Sequence, residues 1–246
     1  MSLKWSGVGT ERAEDIIKRV VSQARILRMD SETMSARDAY VKALTAFAEG
    51  EYDILLGTQM IAKGLDFPRV TLVGVLSADA ALYLPDFRAP ERTFQLITQV
   101  IGRAGRAERH GLAIVQTVQP DAPAIQYAIR QDYLAMAKHE LKDRCNNLYP
   151  PYSRLLRVIF RGHDEQDTKK AAAELAVFLK EHSKTSATIL GPAPCPLARL
   201  NTEYRFHFIV KANDVQTLMN ISSLAAKYTH NHKIRVAIDV DPLSLL

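Results

Sequence analysis

The stretch Tyr52-Asp53-Ile54-Leu55-Leu56-Gly57-Thr58-Gln59-Met60-Ile61-Ala62-Lys63-Gly64-Leu65-Asp66-Phe67-Pro68-Arg69-Val70 decides how this chain folds. Tyr52–Gly57 is a short apolar strand, a glycine-containing loop follows it, and Val70–Leu76 is a second, fully apolar strand. Toward the N-terminus, Ala36–Glu49 predicts a helix with Tyr40, Ala43, Leu44 and Phe47 on its buried face and Gly50 as its C′ residue. Arg25–Met29 predicts a strand. Residues 11–24 predict a helix, because Ala13, Ile16, Ile17, Val20, Val21 and Ala24 share one face of a 3.6-residue period, with Thr10 as N-cap. Toward the C-terminus, Pro90 opens a helix through Ile101 with Phe94, Ile97 and Ile101 on its core side, and Leu112–Thr117 is a further strand. Apolar strands alternating with amphipathic helices predict an α/β fold with a parallel sheet. Such sheets hold ligands in the loops at the carboxyl ends of their strands.

A mostly helical stretch from Asp121 to Asn146 ends at Tyr149-Pro150-Pro151, where proline forces extended backbone. This sets the expected division into a domain of residues 1–148 and one of 149–246. The second reads strand (Leu155–Arg161), helix (Glu165–His182), strand (Ala187–Leu190), strand (Tyr204–Lys211), helix (Asp214–Tyr228), strand (Lys233–Asp239). That order, β-α-β-β-α-β, is the split, ferredoxin-like pattern of a small α+β domain. The connection from Gly191 to Glu203 holds three prolines and Arg199 and is expected to be an exposed arm.

With 47% hydrophobic and 24% charged residues the chain is not an extended disordered segment. No apolar run is long enough to span a bilayer, and no secretory leader is present, so no membrane partner and a cytoplasmic location are expected. Two cysteines, Cys145 and Cys195, are too few for a disulfide framework or a four-ligand zinc site. Residues 1–148 carry 19 Lys+Arg against 18 Asp+Glu, and residues 149–246 carry 13 against 9, so the basic excess lies in the second part. A basic surface favours phosphate backbones.

Two clusters can carry chemistry. In the first, Thr58 offers a hydroxyl and a backbone N–H suited to a phosphate. Gly64 permits close approach of a ligand, and Asp66 can accept hydrogen bonds from a ribose hydroxyl pair. A plain turn with Asp66 as its cap is the alternative reading of those residues alone. The second is Gln99-Val100-Ile101-Gly102-Arg103-Ala104-Gly105-Arg106 at the end of the Pro90 helix. Arginine keeps its charge and presents a forked donor, which suits the charge developing on a transferred γ-phosphoryl group. The bland alternative is that the pair complements the negative helix end.

Taken together, Gly-Thr-Gln-x-x-x-Lys-Gly-x-Asp-x-Pro after one strand and Gln-x-x-Gly-Arg-x-Gly-Arg after the next helix resemble motifs V and VI of the superfamily 2 helicases. The likeness implies a RecA-like second motor lobe, present in part. It implies DNA-backbone contacts at Thr58, Gln59 and Lys63, nucleotide contacts at Gly64, Asp66 and Gly102, and γ-phosphate contacts at Arg103 and Arg106, with Gln99 sensing the nucleotide. Further segments resemble the primosomal replication-restart DNA helicase family. They are Gly7–Arg12, Arg28–Asp30, Gly57–Gly64, Asp86-Phe87-Arg88-Ala89-Pro90-Glu91-Arg92, Tyr149–Ser153, Leu190–Pro194 and Asp239–Pro242. That resemblance implies an ATP- and Mg²⁺-dependent 3′-to-5′ DNA helicase, and a zinc-binding insertion upstream of Leu3. Its partners would be fork and single-stranded DNA, single-strand DNA-binding protein and other primosome proteins.

No G-x-x-x-x-G-K-[S/T] phosphate loop occurs anywhere in the sequence. Asp164-Glu165-Gln166-Asp167 looks like an acidic metal box but lies in the wrong domain, and it is expected to cap the following helix. The chain therefore reads as a C-terminal piece with no ATPase of its own and no cofactor bound. In the second domain Arg154, Arg157, Arg161, Arg199, Arg205 and Lys211 are expected to form a basic face, with Tyr204 placed to stack a base. Among them Arg199, Arg205 and Tyr204 are the expected DNA contacts. His230 and His232 lack a carboxylate or cysteine companion and read as a turn, so no metal site is expected. Another superfamily 2 translocase lobe, or a non-catalytic nucleic-acid-binding adaptor, is the alternative reading.

Overall fold

Ile26–Met29 (β1) and Ile54–Gly57 (β2) pair in parallel, with Ile26 opposite Ile54 and Met29 opposite Gly57. Leu72–Val75 (β3) pairs in parallel with Leu112–Val115 (β4), Leu72 opposite Leu112. These are features of a computed structural model that describes residues 9–30, 37–58, 61, 67–103, 111–183, 186–228 and 233–245. The parallel pairing expected from the alternation is present. Among the described residues it takes the form of two separate two-stranded sheets rather than one continuous sheet. The chain divides into two compact units, Met1–Tyr83 with Ala89–Met136, and Leu84–Arg88 with Ala137–Leu246.

In the first unit the helices α1 (Thr10–Val20), α2 (Arg37–Glu49), α3 (Asp79–Leu82), α4 (Ala89–Ile101) and α5 (Pro123–Arg130) accompany these strands. α1 stops four residues short of the sequence expectation. Thr10 is its first helical residue rather than its cap: Gly9 takes the N-cap position, and the Thr10 hydroxyl donates instead to Asp30 at 2.9 Å. The core here joins Phe94 and Ile97 of α4 to Ala124, Ile125 and Ala128 of α5 and to Met136. The long helix expected over 121–146 is broken into α5 and α6 (Tyr133–Asn146), with Gln131 left-handed at φ 55° between them. Asp132 caps the second helix by accepting from the Ala135 N–H at 2.9 Å.

The one-turn helix α3 has no sequence signature. Its Asp79 is buried and accepts from the Thr117 hydroxyl at 2.5 Å and from the N–H groups of Val118 at 2.9 Å and Gln119 at 3.2 Å. Burial opposes its ionisation, but these donors outweigh it and hold the carboxyl below its usual range.

The second unit contains β5 (Arg154–Gly162), α7 (Glu165–His182), β6 (Thr188–Leu200), β7 (Glu203–Ala212), α8 (Val215–Lys227) and β8 (Arg235–Val240). The four strands form one antiparallel sheet in the order β6-β7-β5-β8. Alternation along the strands sends Leu156, Val158 and Phe160 of β5 and Phe206, Phe208 and Val210 of β7 into one core with Leu175 and Leu179 of α7 and Leu218 and Ile221 of α8. Asp164 and Asp214 cap the two helices, accepting from Asp167 N–H at 2.8 Å and Thr217 N–H at 2.7 Å. The acidic string Asp164–Asp167 thus serves as a helix start.

The segment expected to be an exposed arm is instead the continuation of β6, which runs to Leu200 and pairs with β7 through two register shifts. Pro192, Pro194 and Pro196 each lack an N–H, and an edge strand tolerates that because one side of its backbone has no ladder to complete.

Candidate nucleotide and nucleic-acid sites

Thr58 stands exposed one residue beyond the carboxyl end of β2, where a parallel pair presents ligands, and its carbonyl accepts from the Ile61 N–H at 3.2 Å. Gly57 before it is demanded by packing: a Cβ there would lie 2.4 Å from the Met29 carbonyl oxygen across the strand pair. The second cluster hangs on α4. Phe94 and Ile97 are 5% and 0% exposed and anchor that helix, so Gln99, two positions beyond Ile97, falls on its solvent side. The helix closes with the Gly102 N–H donating to the Thr98 carbonyl and the Arg103 N–H to the Val100 carbonyl, both at 3.0 Å. Gly102 is exposed and Arg103 half-buried. A Cβ on Gly102 would meet only ordinary contacts, at 3.4 Å or more, so its own surroundings do not require glycine. Gln59, Lys63, Gly64, Asp66 and Arg106, along with His230 and His232, lie outside the described residues.

In the second unit the basic residues divide sharply. Arg199 is exposed, and its guanidinium carbon lies 5.2 Å from the ring centroid of half-buried Tyr204, its direct partner across β6 and β7. Arg205 and Arg157 are only 7% and 2% exposed, which corrects the expectation that they lie on an open face. The alternation that aims Phe206 and Phe208 at the helices turns Arg205 to the other side of the sheet, and that side is also covered, with Leu155, Ile159, Cys195 and Leu245 all buried. Arg157 donates through Nε to His207 Nδ1 at 3.1 Å and through Nη1 to the Ser244 carbonyl at 3.3 Å. Arg205 reaches the Leu197 carbonyl at 3.4 Å.

Arg205 sits directly opposite Arg161 of β5, and Arg161 opposite Arg235 of β8, so one row of the sheet carries three guanidinium groups. The Nε atoms of Arg161 and Arg205 are buried without a hydrogen-bond partner. Arg235 ends the row in an ion pair with Glu203, whose carboxyl that pairing holds low. Arg154 pairs with Asp241 at 2.9 Å, and Lys211 donates to the Asn147 carbonyl at 2.8 Å.

This row was only half legible in advance. The sequence offers Arg161 and Arg205, but the register that sets them side by side and adds Arg235 comes from strand pairing. Burial, reinforced by Arg157 and Arg205, pushes His207 down to about 4, so the ring is neutral and accepts the Arg157 N–H. Burial outweighs the nearby arginines and pushes the Cys195 thiol up, which marks it as an unreactive packing residue. Among the described residues no group of His, Cys, Asp and Glu could hold a metal, and no helix is long and apolar enough to cross a membrane.

Comparison with known proteins matches two family models to successive parts of the chain. The helicase conserved C-terminal domain matches residues 8–108, and the primosomal protein N C-terminal domain matches residues 146–243. Replication restart protein PriA of Bacillus subtilis (strain 168) is 42% identical over 251 residues, which is 99% of this chain and 31% of that protein. PriA of Chlamydia pneumoniae is 38% identical over 247 residues, 99% of this chain and 33% of that protein. PriA of Chlamydia trachomatis is 38% identical over 247 residues, with 99% and 32% covered. The chain spans about a third of the length of the curated relatives it matches. Two matched domains in series, and likeness along nearly the whole chain to proteins of one name, establish that it belongs to the PriA replication-restart family.

Proposed function

We propose that this chain supplies part of the second, RecA-like motor lobe and the ferredoxin-like C-terminal domain of an ATP-dependent 3′-to-5′ DNA helicase that restarts stalled replication forks. The observation that carries this reading is the placement of Gln99, Gly102 and Arg103 on and just past the carboxyl end of α4, open enough to meet a ligand while Phe94 and Ile97 fix the helix. A half-buried guanidinium on a fixed helix end suits a γ-phosphate, and bare Gly102 leaves room beside it. Gly64 and Asp66 would hold the ribose, and Arg103 and Arg106 the terminal phosphate. Mg²⁺, when bound, would neutralise the phosphate charge. The phosphate loop and metal box that hold it are absent from this sequence and would be supplied by another part of the protein. Zinc would belong to an insertion outside this chain. Thr58, Gln59 and Lys63 would follow the DNA backbone as the lobes close and open around each ATP. We place the start of the second domain at Tyr149, and read fork and single-stranded DNA, single-strand DNA-binding protein and other primosome proteins as partners in the cytoplasm.

Two measurements test this. Titration calorimetry of ATP into this chain alone is expected to show no stoichiometric binding, because the chain lacks a phosphate loop; a saturable one-site isotherm overturns that part. Fluorescence anisotropy with forked DNA is expected to show affinity falling steeply with salt. Arg199→Ala should weaken binding and reduce the salt slope by about one, as loss of one phosphate contact does. Affinity independent of salt, or an unchanged slope in the variant, argues against phosphate contact by Arg199.

A further inference from the structure

We propose that Arg161 and Arg205 form a binding site for a phosphate dianion within the second unit, independent of the nucleotide contacts proposed for α4. Arg161 of β5 and Arg205 of β7 are direct cross-strand partners, so their side chains leave the same face of the sheet from neighbouring strands. That face is turned away from α7 and α8, because their chain neighbours Phe160 and Phe206 enter the core on the helix side. Like charges directly opposite one another weaken a strand pair. Arg205 is buried and Arg161 half-buried, so water screens their repulsion poorly. A buried cation is costly unless a counter-charge meets it.

Among the described residues the protein offers this pair no such counter-charge. Both Nε atoms are buried without a hydrogen-bond partner, and Arg205 reaches the Leu197 carbonyl only at a long 3.4 Å. Glu203 shares the face, two residues before Arg205, but it is ion-paired with Arg235. Asp239 also shares it, opposite Arg157. It is exposed and about 13 Å along the sheet from Arg161, at about 3.3 Å per residue. Arg157 adds positive charge rather than removing it, and its acceptor His207 is a neutral ring. Cys195 lies close enough to feel all three buried arginines, but burial raises its thiol and keeps it uncharged.

The donors themselves select the ligand. Guanidinium forks pair with oxyanions, and two side by side match the double charge of free phosphate or of a phosphate monoester. A carboxylate brings half that charge. So does an internal phosphodiester of a nucleic-acid strand, which would also have to bring its chain past a residue that is 7% exposed. A free ion or a chain end has no such difficulty, and half-buried Arg161 is its way in.

The test is equilibrium dialysis of radiolabelled inorganic phosphate against the complete chain at constant ionic strength, where a single saturable site is expected. Arg161→Gln and Arg205→Gln should each weaken it about tenfold or more, the worth of a charge-assisted hydrogen bond. Lys169→Gln removes the same charge from the exposed side of α7 and should leave binding unchanged. If Arg205→Gln fails to fold, Arg161→Gln at the half-buried position is the reporter. Phosphate should also raise the urea midpoint of the wild type, relative to chloride, by more than it does for Arg161→Gln; that comparison removes the general stabilising effect of phosphate on proteins. Competition with a short oligonucleotide identifies the source of the group. Displacement of phosphate by a 5′-phosphorylated strand, and not by its 5′-hydroxyl counterpart, assigns the site to a chain end; displacement by neither assigns it to the free ion. Equal displacement by both strands shows that internal phosphodiesters occupy the site and overturns the inference. So does the lack of saturable binding, or wild-type binding in folded Arg161→Gln protein. Phosphate binding lost in Arg103→Ala but kept in Arg161→Gln places the ion at α4 and overturns this site while leaving the nucleotide reading intact.

Discussion

Arg103→Ala in the full-length protein is expected to lower DNA-stimulated ATP turnover by about 10³-fold or more, with ATP affinity nearly intact. The asymmetry follows from where charge appears. On the proposed reading, ground-state ATP would be held by a phosphate loop, whose motif does not occur in this sequence, together with Mg²⁺. On that reading, the guanidinium at the end of α4 would act as charge gathers on the transferred phosphoryl group. Arg103→Lys should recover little, because a point charge on a flexible stem does not reproduce the planar fork. Arg106→Ala should match Arg103→Ala, since residues acting as a unit are strongly non-additive. The check is initial-rate kinetics over a range of ATP concentrations, with nucleotide binding measured separately under non-hydrolysing conditions. A tenfold weaker ATP affinity at wild-type kcat would assign Arg103 to ground-state binding and remove it from the chemical step.

Lowering the pH from 7.5 to about 4.5 is expected to destabilise the second unit through His207 by about 2–3 kcal/mol. The ring titrates at about 4 in the fold against 6.5 when unperturbed, because it is buried and faces Arg157 and Arg205. Between those values the unfolded chain binds the proton and the folded chain does not, so stability is complete above 6.5 and falls as pH drops toward 4. Protonation also removes the acceptor for the Arg157 Nε–H and places a third cation among buried guanidinium groups. His207→Gln keeps an amide oxygen as acceptor without a titration in this range, and its urea-unfolding curves should depend less on pH than those of the wild type. The depressed carboxyls of Asp79, Asp214 and Glu203 begin to lose their contribution near the acid end of this range, but equally in both proteins, so the difference between the two isolates the histidine. Equal pH dependence in both would show that His207 is not held neutral.

In the second unit the bounds of the longer elements are legible in the sequence pattern. Glu165–His182 matches its expected bounds, and β5 and β7 each extend by only a residue or two. The error fell at Gly191–Glu203, where prolines speak for a loop in any reading of local preference. Only the position of β6 at the sheet edge makes them tolerable. In the first unit the strands are four residues each, and α3 exists through the hydrogen bonds of Asp79 to residues nearly forty positions away. No local window contains that information.

By itself, the sequence determined the order of elements, the helix-capping role of Asp164, and the two clusters whose spacing carries the family likeness. Each of these depends on residues within a few positions of one another, where turn geometry and side-chain period act directly. Tertiary structure alone decided that Arg157 and Arg205 are buried while Arg199 is open, that Arg205, Arg161 and Arg235 form one row, and that Phe87 is clasped by Tyr149. Strand register and long-range stacking set these, and both are fixed by the total burial of the fold rather than by the identity of any neighbouring residue.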